Sequence, residues 1–195
     1  RAAAVQELRD FWTTYYVPNN ATLVVVGAVK HADAQESARK AFGWIPRAAD
    51  PPRVTVKEPM PEKARLIKLQ DPNAPAPLVG QLFRGVPYGH RDTAALEILT
   101  TILGGGESSR LYRDLVADKD LAMFAAAASI QFEQDGILAA GAVLSPVPSV
   151  FGDDSAKVLK VIDGHLERLR TELVSDDELV KGKNQLLAAA VTSTQ

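Results

Sequence analysis

Three histidines, at positions 31, 90 and 165, raise the first question, because imidazole is both a common general base and a common metal ligand. No two of them stand at i, i+4, so neither H-E-x-x-H nor its inverse H-x-x-E-H occurs. His165 opens the run "HLERL", which holds a glutamate but no second imidazole. A catalytic zinc needs about three close protein ligands and an open position, and the sequence offers no two neighbouring ones. There is no cysteine, which excludes disulfides, thiol nucleophiles and thiolate-bound zinc. Ser108 and Ser109 follow glycines in "GGGESSR", but the spacing is not the G-x-S-x-G nucleophile elbow. A helix N-terminus after glycines can hold phosphate. A P-loop, however, needs a Lys at a spacing this run lacks, and Glu107 would repel the anion. Gly104 to Gly106 therefore read first as a tight corner between two helices. The carboxylates Asp153-Asp154 and Asp176-Asp177-Glu178 stand at predicted helix starts, where they are ordinary dipole partners. By residue chemistry alone the chain carries no active site.

The elements that would position these residues can be read from pattern. The 195 residues are 46% hydrophobic and 24% charged, the balance of a soluble globular domain. The net charge is -2, with Lys and Arg spread evenly, so no basic patch marks a nucleic-acid or anionic-membrane partner. No apolar run approaches the ~18 residues a membrane-spanning helix needs. Val5, Leu8, Phe11, Trp12 and Tyr15 share one face at helical spacing, and Pro18-Asn19-Asn20 break that helix. "ATLVVVGAV" (21–29) is a continuous β-branched run and predicts a buried strand. Residues 31–42 predict a second helix ending at Gly43. The stretch "RAADPPRVTVKEPMP" (47–61) predicts an extended, proline-rich linker and a candidate flexible connector. Strands are predicted at 64–70, 78–85, 121–132 and 136–144, the last two joined by the hairpin signal "EQDG". A third helix starts at Asp92 and carries Leu96, Leu99 and Leu103, with Gly104 just past its end in the left-handed conformation. A fourth, capped by Ser108, runs to about Ala117 with Leu111 and Leu115 inward. A long helix at 154–173 follows. Ser175-Asp176-Asp177-Glu178 is a full capping box for the last one. This order predicts an α+β fold, a mainly antiparallel sheet with helices packed on one face, as a single domain over 1–195. Both ends fall inside helical patterns, so the chain reads as a fragment of a longer protein.

Four stretches together resemble the M16 metallopeptidase family, which includes pitrilysin, insulysin and mitochondrial processing peptidase. "FWTTYYVPNNATLVVVGAV" is similar to the passage that opens the family's second domain, and "ARKAFGWIP" to the helix end after it. "LGGGESSRLYRDLVADKDLA" is similar to the G-x-x-S-R-L-(Y/F) helix, and "VSDDELVKGKNQLL" to the last helices. They occur in the family's order and cover nearly the whole chain.

The resemblance implies a role. In that family an M16 half pairs a first domain, which holds zinc through H-x-x-E-H and a later Glu, with a second domain of the type matched here. Two halves, in one polypeptide or as separate subunits, close around a peptide or unfolded chain. The resemblance thus implies a supporting domain that binds no cofactor itself, with zinc in the preceding domain of the parent. Its implied partners are that zinc-bearing domain, a second M16 half and the peptide substrate. In the half that completes the active site, the segment after S-R-L-(Y/F) supplies an Arg and a Tyr to the substrate, and a zinc-bearing half does not need them itself. On this chain those positions are Val116 and Met123, neither of which has a side-chain donor. Two readings stay open: the supporting domain of a zinc-bearing half, as in large bacterial M16 proteins, which we favour, or a domain of a non-catalytic structural subunit. Gly104, Gly105, Gly106 and Arg110 are the candidate residues of a substrate-chamber loop. The bacterial periplasm and cytoplasm both fit, because the native N-terminus is absent.

Overall fold

The computed structural model describes residues 3–53, 55–56, 58–145 and 154–192. Positions 54 and 57 of the proline-rich stretch and Asp153 lie outside them. The chain divides into two compact units, Arg1–Met60 and Pro61–Gln195, so the division falls at the end of that stretch.

In the first unit, helix α1 spans Val5–Tyr15 and helix α2 spans His31–Phe42. The break between them is a 3-10 turn, Pro18–Asn20, in which proline occupies the first position, where its missing N–H costs nothing. Asn20 Nδ2 donates to the carbonyl of Tyr15 at 2.9 Å, and Asn19 Nδ2 donates to Asp50 at 2.8 Å. Asn19 thereby ties the start of the proline-rich stretch to the turn. The run 21–29 is not a strand. It forms no ladder with any described residue, and Leu23, Val24 and Val26 are exposed at 58%, 74% and 91%. β-branched residues favour an extended backbone, but a strand exists only where a neighbour takes its N–H and C=O groups.

The second unit holds a three-stranded antiparallel sheet of β1 (Leu78–Gly85), β2 (Ala122–Gln131) and β3 (Gly136–Leu144), in the order β1-β3-β2. The predicted strand at 64–70 is absent for the same reason as 21–29. It pairs with nothing described, and Leu66, Ile67 and Leu69 are all exposed. Helices α3 (Thr93–Gly104), α5 (Ser155–Thr171) and α6 (Asp176–Thr192) surround a short helix α4 (Arg110–Tyr112), which continues as a π-helix over Arg113–Asp118. The expected α-helix from Ser108 to Ala117 is thus mostly π-helical. Its closing bond runs from Lys119 N–H to the Asp114 carbonyl, five residues back. A π turn is wider than an α turn and shifts the side chains that follow it around the axis.

The core lies on one sheet face. Leu103, Leu111, Leu115, Val158 and Ile162 are fully buried against Ala125, Ala140 and Ala142. The predicted leucines at 103, 111 and 115 therefore do point inward. Gln81 Nε2 donates to Asp163 at 2.7 Å and joins β1 to α5. The alanines hold the helices close to the sheet. The fold is α+β, with an antiparallel sheet and helices on one face.

The other face carries a row of large side chains at each strand end and small ones between. Leu78, Val143 and Phe124 align across the three strands, as do Arg84, Ile137 and Ile130 at the opposite end. Between them lie the rows Gly80, Gly141, Ala126 and Leu82, Ala139, Ala128. On this face Leu78, Leu82 and Phe124 are exposed at 77%, 76% and 54%.

Candidate functional site

The glycine corner begins inside α3, not after it. Gly104 is the last helical residue and is buried. A Cβ there would lie 2.0 Å from the backbone nitrogen of Ala127, so the helix end touches β2 backbone to backbone. A Cβ on Gly105 would come within 2.6 Å of the Thr101 carbonyl oxygen. Gly106, with φ +89° and open space around it, is the residue in the left-handed region, the role expected of Gly104. The corner thus has two glycines that packing demands and one that the turn demands.

Beyond the corner, Ser109 rather than Ser108 precedes α4, and its hydroxyl is buried without a hydrogen-bond partner among the described residues. Arg110 is 11% exposed in its side chain and forms a two-pronged pair with Glu178: Nε donates to Oε1 and Nη2 to Oε2, both at 2.8 Å. Glu178 is also the capping-box glutamate of α6 and accepts from the backbone N–H of Ser175 at 3.3 Å. Its carboxyl is lowered to about 2, first by the Arg110 hydrogen bonds, against burial, and then by the Ser175 N–H. One turn on, Lys181 Nζ donates to the carbonyl of Ser108 at 2.8 Å. The start of α6 therefore clamps the corner from Ser108 to Arg110.

Beside the clamp, His165 of α5 places Nε2 2.8 Å from Asp114 Oδ2, across 51 residues of sequence. Burial pushes the Asp114 carboxyl up, but the His165 bond and the Lys119 charge outweigh it and hold the group below its usual range. An ionised carboxylate has no proton to give, so Nε2 donates. His165 Nδ1 is buried and unpartnered among the described residues. These groups line a cavity of about 410 Å³ together with Arg110, Arg113, Asp118, Arg168 and Glu178. Three arginines face three carboxylates there, so the charges cancel and the cavity selects neither sign. No sequence pattern signals that His165 and Asp114 meet, because nothing local couples two helices so far apart in the chain.

The cluster does not fit zinc. His165 is its one imidazole, and its carboxylates Glu178 and Asp114 are already engaged, the first by Arg110 and the second by His165 and Lys119. No group of three metal-ligating side chains converges among the described residues. Val116 and Met123, at the two positions where the resemblance expects Arg and Tyr, differ in burial. Val116 packs against the core, whereas Met123 is 50% exposed beside the bulge in β2. Val116→Arg is therefore expected to cost about 1–2 kcal/mol, since the long side chain recovers part of its hydration by reaching outward. Met123→Tyr should be neutral within about 0.5 kcal/mol. Urea midpoints of the two variants check the pair, and equal costs would mean Val116 is not a core position.

Residues 3–186 match the family model described as "Peptidase M16 inactive domain". The chain is 26% identical to a Helicobacter pylori protein named zinc protease PqqE, over 92% of this chain and 40% of that protein. It is 24% identical to the uncharacterized zinc protease YmxG of Bacillus subtilis, over 96% and 43%. The crystal structure of a protease from Helicobacter pylori superposes with a TM-score of 0.83 at 26% identity, covering 97% of this chain and 45% of that one. The chain thus spans less than half the length of these relatives.

Proposed function

We propose, from the premise that this chain belongs to the M16 peptidase family as a domain of its inactive type, that it is the supporting, non-zinc domain of a zinc-dependent endopeptidase acting on peptides or unfolded chains. The family match over 3–186 carries this reading, and the relatives named as zinc proteases support its first half. In it, zinc and its activated water belong to a companion domain of the parent. This chain contributes chamber wall and docking surface. The corner Gly104–Gly106 forms part of the chamber-side loop, with Arg110 as its anchor rather than a group that touches substrate, because Nε and Nη2 of the guanidinium are held by Glu178. A second M16 half then supplies the Arg and Tyr that Val116 and Met123 replace.

The test is an assay of the purified 195-residue chain on a quenched fluorescent peptide, with zinc content measured in parallel. The expected result is no chelator-sensitive cleavage and no stoichiometric zinc. Metal-dependent hydrolysis by the pure chain would overturn the reading.

A further inference from the structure

Internal pairing leaves part of the charge in the cavity beside the clamp unanswered. Arg110 is held by Glu178, and Asp114 by His165 and Lys119. Three lining groups remain. Arg113 and Asp118 have no ion-pair partner among the described residues. Arg168 is tied only through Nε, by an exposed bond to Glu172 at 3.4 Å. Two guanidinium groups and one carboxylate therefore line one space with hydrogen-bonding capacity to spare. A lone anion there meets the repulsion of Asp118, and a lone cation meets that of the two arginines. A ligand that carries both signs can answer all three groups at once.

Two of the three come from the π-helix. A π turn closes each bond onto the residue five back, so Arg113 and Asp118 stand one above the other on it. In an α-helix, with about 3.6 residues per turn, the same two would point to well-separated sides. The rare turn is thus what sets a free carboxylate beside the Arg113 guanidinium, and such turns recur at functional sites. Across the cavity, Arg168 lies one turn along α5 from His165, whose 2.8 Å bond to Asp114 fixes that wall to the π-helix. The volume, about 410 Å³, falls within the roughly 300–1,000 Å³ of small-ligand sites.

We propose that this cavity binds a small zwitterion, with Arg113 and Arg168 taking its carboxylate and Asp118 its ammonium group. A planar guanidinium matches a carboxylate through two parallel bonds, and the compact ammonium suits a single carboxylate. A free amino acid and a short unblocked peptide share this chemistry.

Isothermal titration of the full-length parent with L-alanine and with L-alanyl-L-alanine tests the assignment. Exposed charge contacts are individually weak, so the better of the two is expected to bind with a dissociation constant on the order of 1 mM. Which one binds better identifies the source, a free amino acid or a peptide. The N-acetylated form of that ligand keeps only the carboxylate, and its amide keeps only the ammonium. Each is expected to bind about fivefold more weakly or worse, the worth of one exposed charge contact. Arg113→Gln and Asp118→Asn, both at exposed positions, are expected to weaken binding by a similar factor and to leave the thermal midpoint unchanged. No saturable binding of either probe, a blocked form that binds as well as the free one, or variants that bind as tightly as the unsubstituted protein overturns the proposal. A peptidase centre elsewhere in the parent would ignore both substitutions, so the result does not depend on the functional reading above.

Discussion

Gly104→Ala is expected to destabilise the 61–195 unit by about 3 kcal/mol or more, a fall in Tm of about 10 °C for a domain of this size. The sign is the informative part. Alanine is the better helix former by about 1 kcal/mol, so propensity alone would stabilise α3. Packing says the opposite. The new Cβ would stand 2.0 Å from the Ala127 nitrogen and 2.5 Å from the Ala126 carbonyl carbon. Both are backbone atoms of a strand hydrogen-bonded to β3, so they cannot move aside as a flexible side chain could. Either α3 lifts from the sheet, uncovering Leu103, or β2 breaks its ladder. Gly106→Ala meets nothing within 4 Å, and its cost is only the left-handed φ of +89°, about 1 kcal/mol. Thermal melts of the two variants decide between the accounts. If Gly104→Ala is no worse than Gly106→Ala, the close approach of α3 to β2 is not a constraint.

Removing the guanidinium at 110 is the second large effect. Arg110→Met keeps the length of the side chain and leaves Glu178 as a largely buried carboxylate with only the Ser175 N–H and hydroxyl to bond. The expected loss is about 2 kcal/mol, and Arg110→Lys should recover little of it, because an ammonium cannot reproduce the two parallel bonds. The pair also sets a pH dependence. The Glu178 carboxyl is depressed from 4.5 to about 2 in the folded chain, so the unfolded chain takes up the proton first as pH falls. Its contribution is complete above about pH 4.5 and is lost as pH falls towards 2. Asp114, held below its usual range by His165 after burial is overcome, acts in the same direction. In Arg110→Met the stability lost between pH 5 and pH 2.5 should shrink visibly relative to the parent chain, as read from urea midpoints across that range. An unchanged acid slope would mean Glu178 does not draw its low value from Arg110.

What could be read from the sequence is what local physics controls. The capping box at Ser175–Glu178, the inward leucines of α3 and α4 and the hairpin between β2 and β3 all follow from spacing within a turn or two of chain. So did the family, because its motifs are runs of consecutive residues. Pattern failed where pairing partners decide. The runs at 21–29 and 64–70 have the composition of strands, yet a strand is a property of two segments, and neither finds its second among the described residues. The π-helix at Arg113–Asp118 was invisible as well, since its residues are ordinary helix formers. The corner divides the same way. Three consecutive glycines announce a tight turn, but only the packed structure says that Gly104 is required by the backbone of β2 and Gly106 by its own φ. The sequence by itself determined the family, the helix starts and the absence of a zinc motif, since each is written in residues close together in the chain. The tertiary structure alone decided that Glu178 both caps α6 and grips Arg110, that His165 meets Asp114, and that one sheet face lies open, because those contacts join segments whose separation leaves no trace in any local pattern.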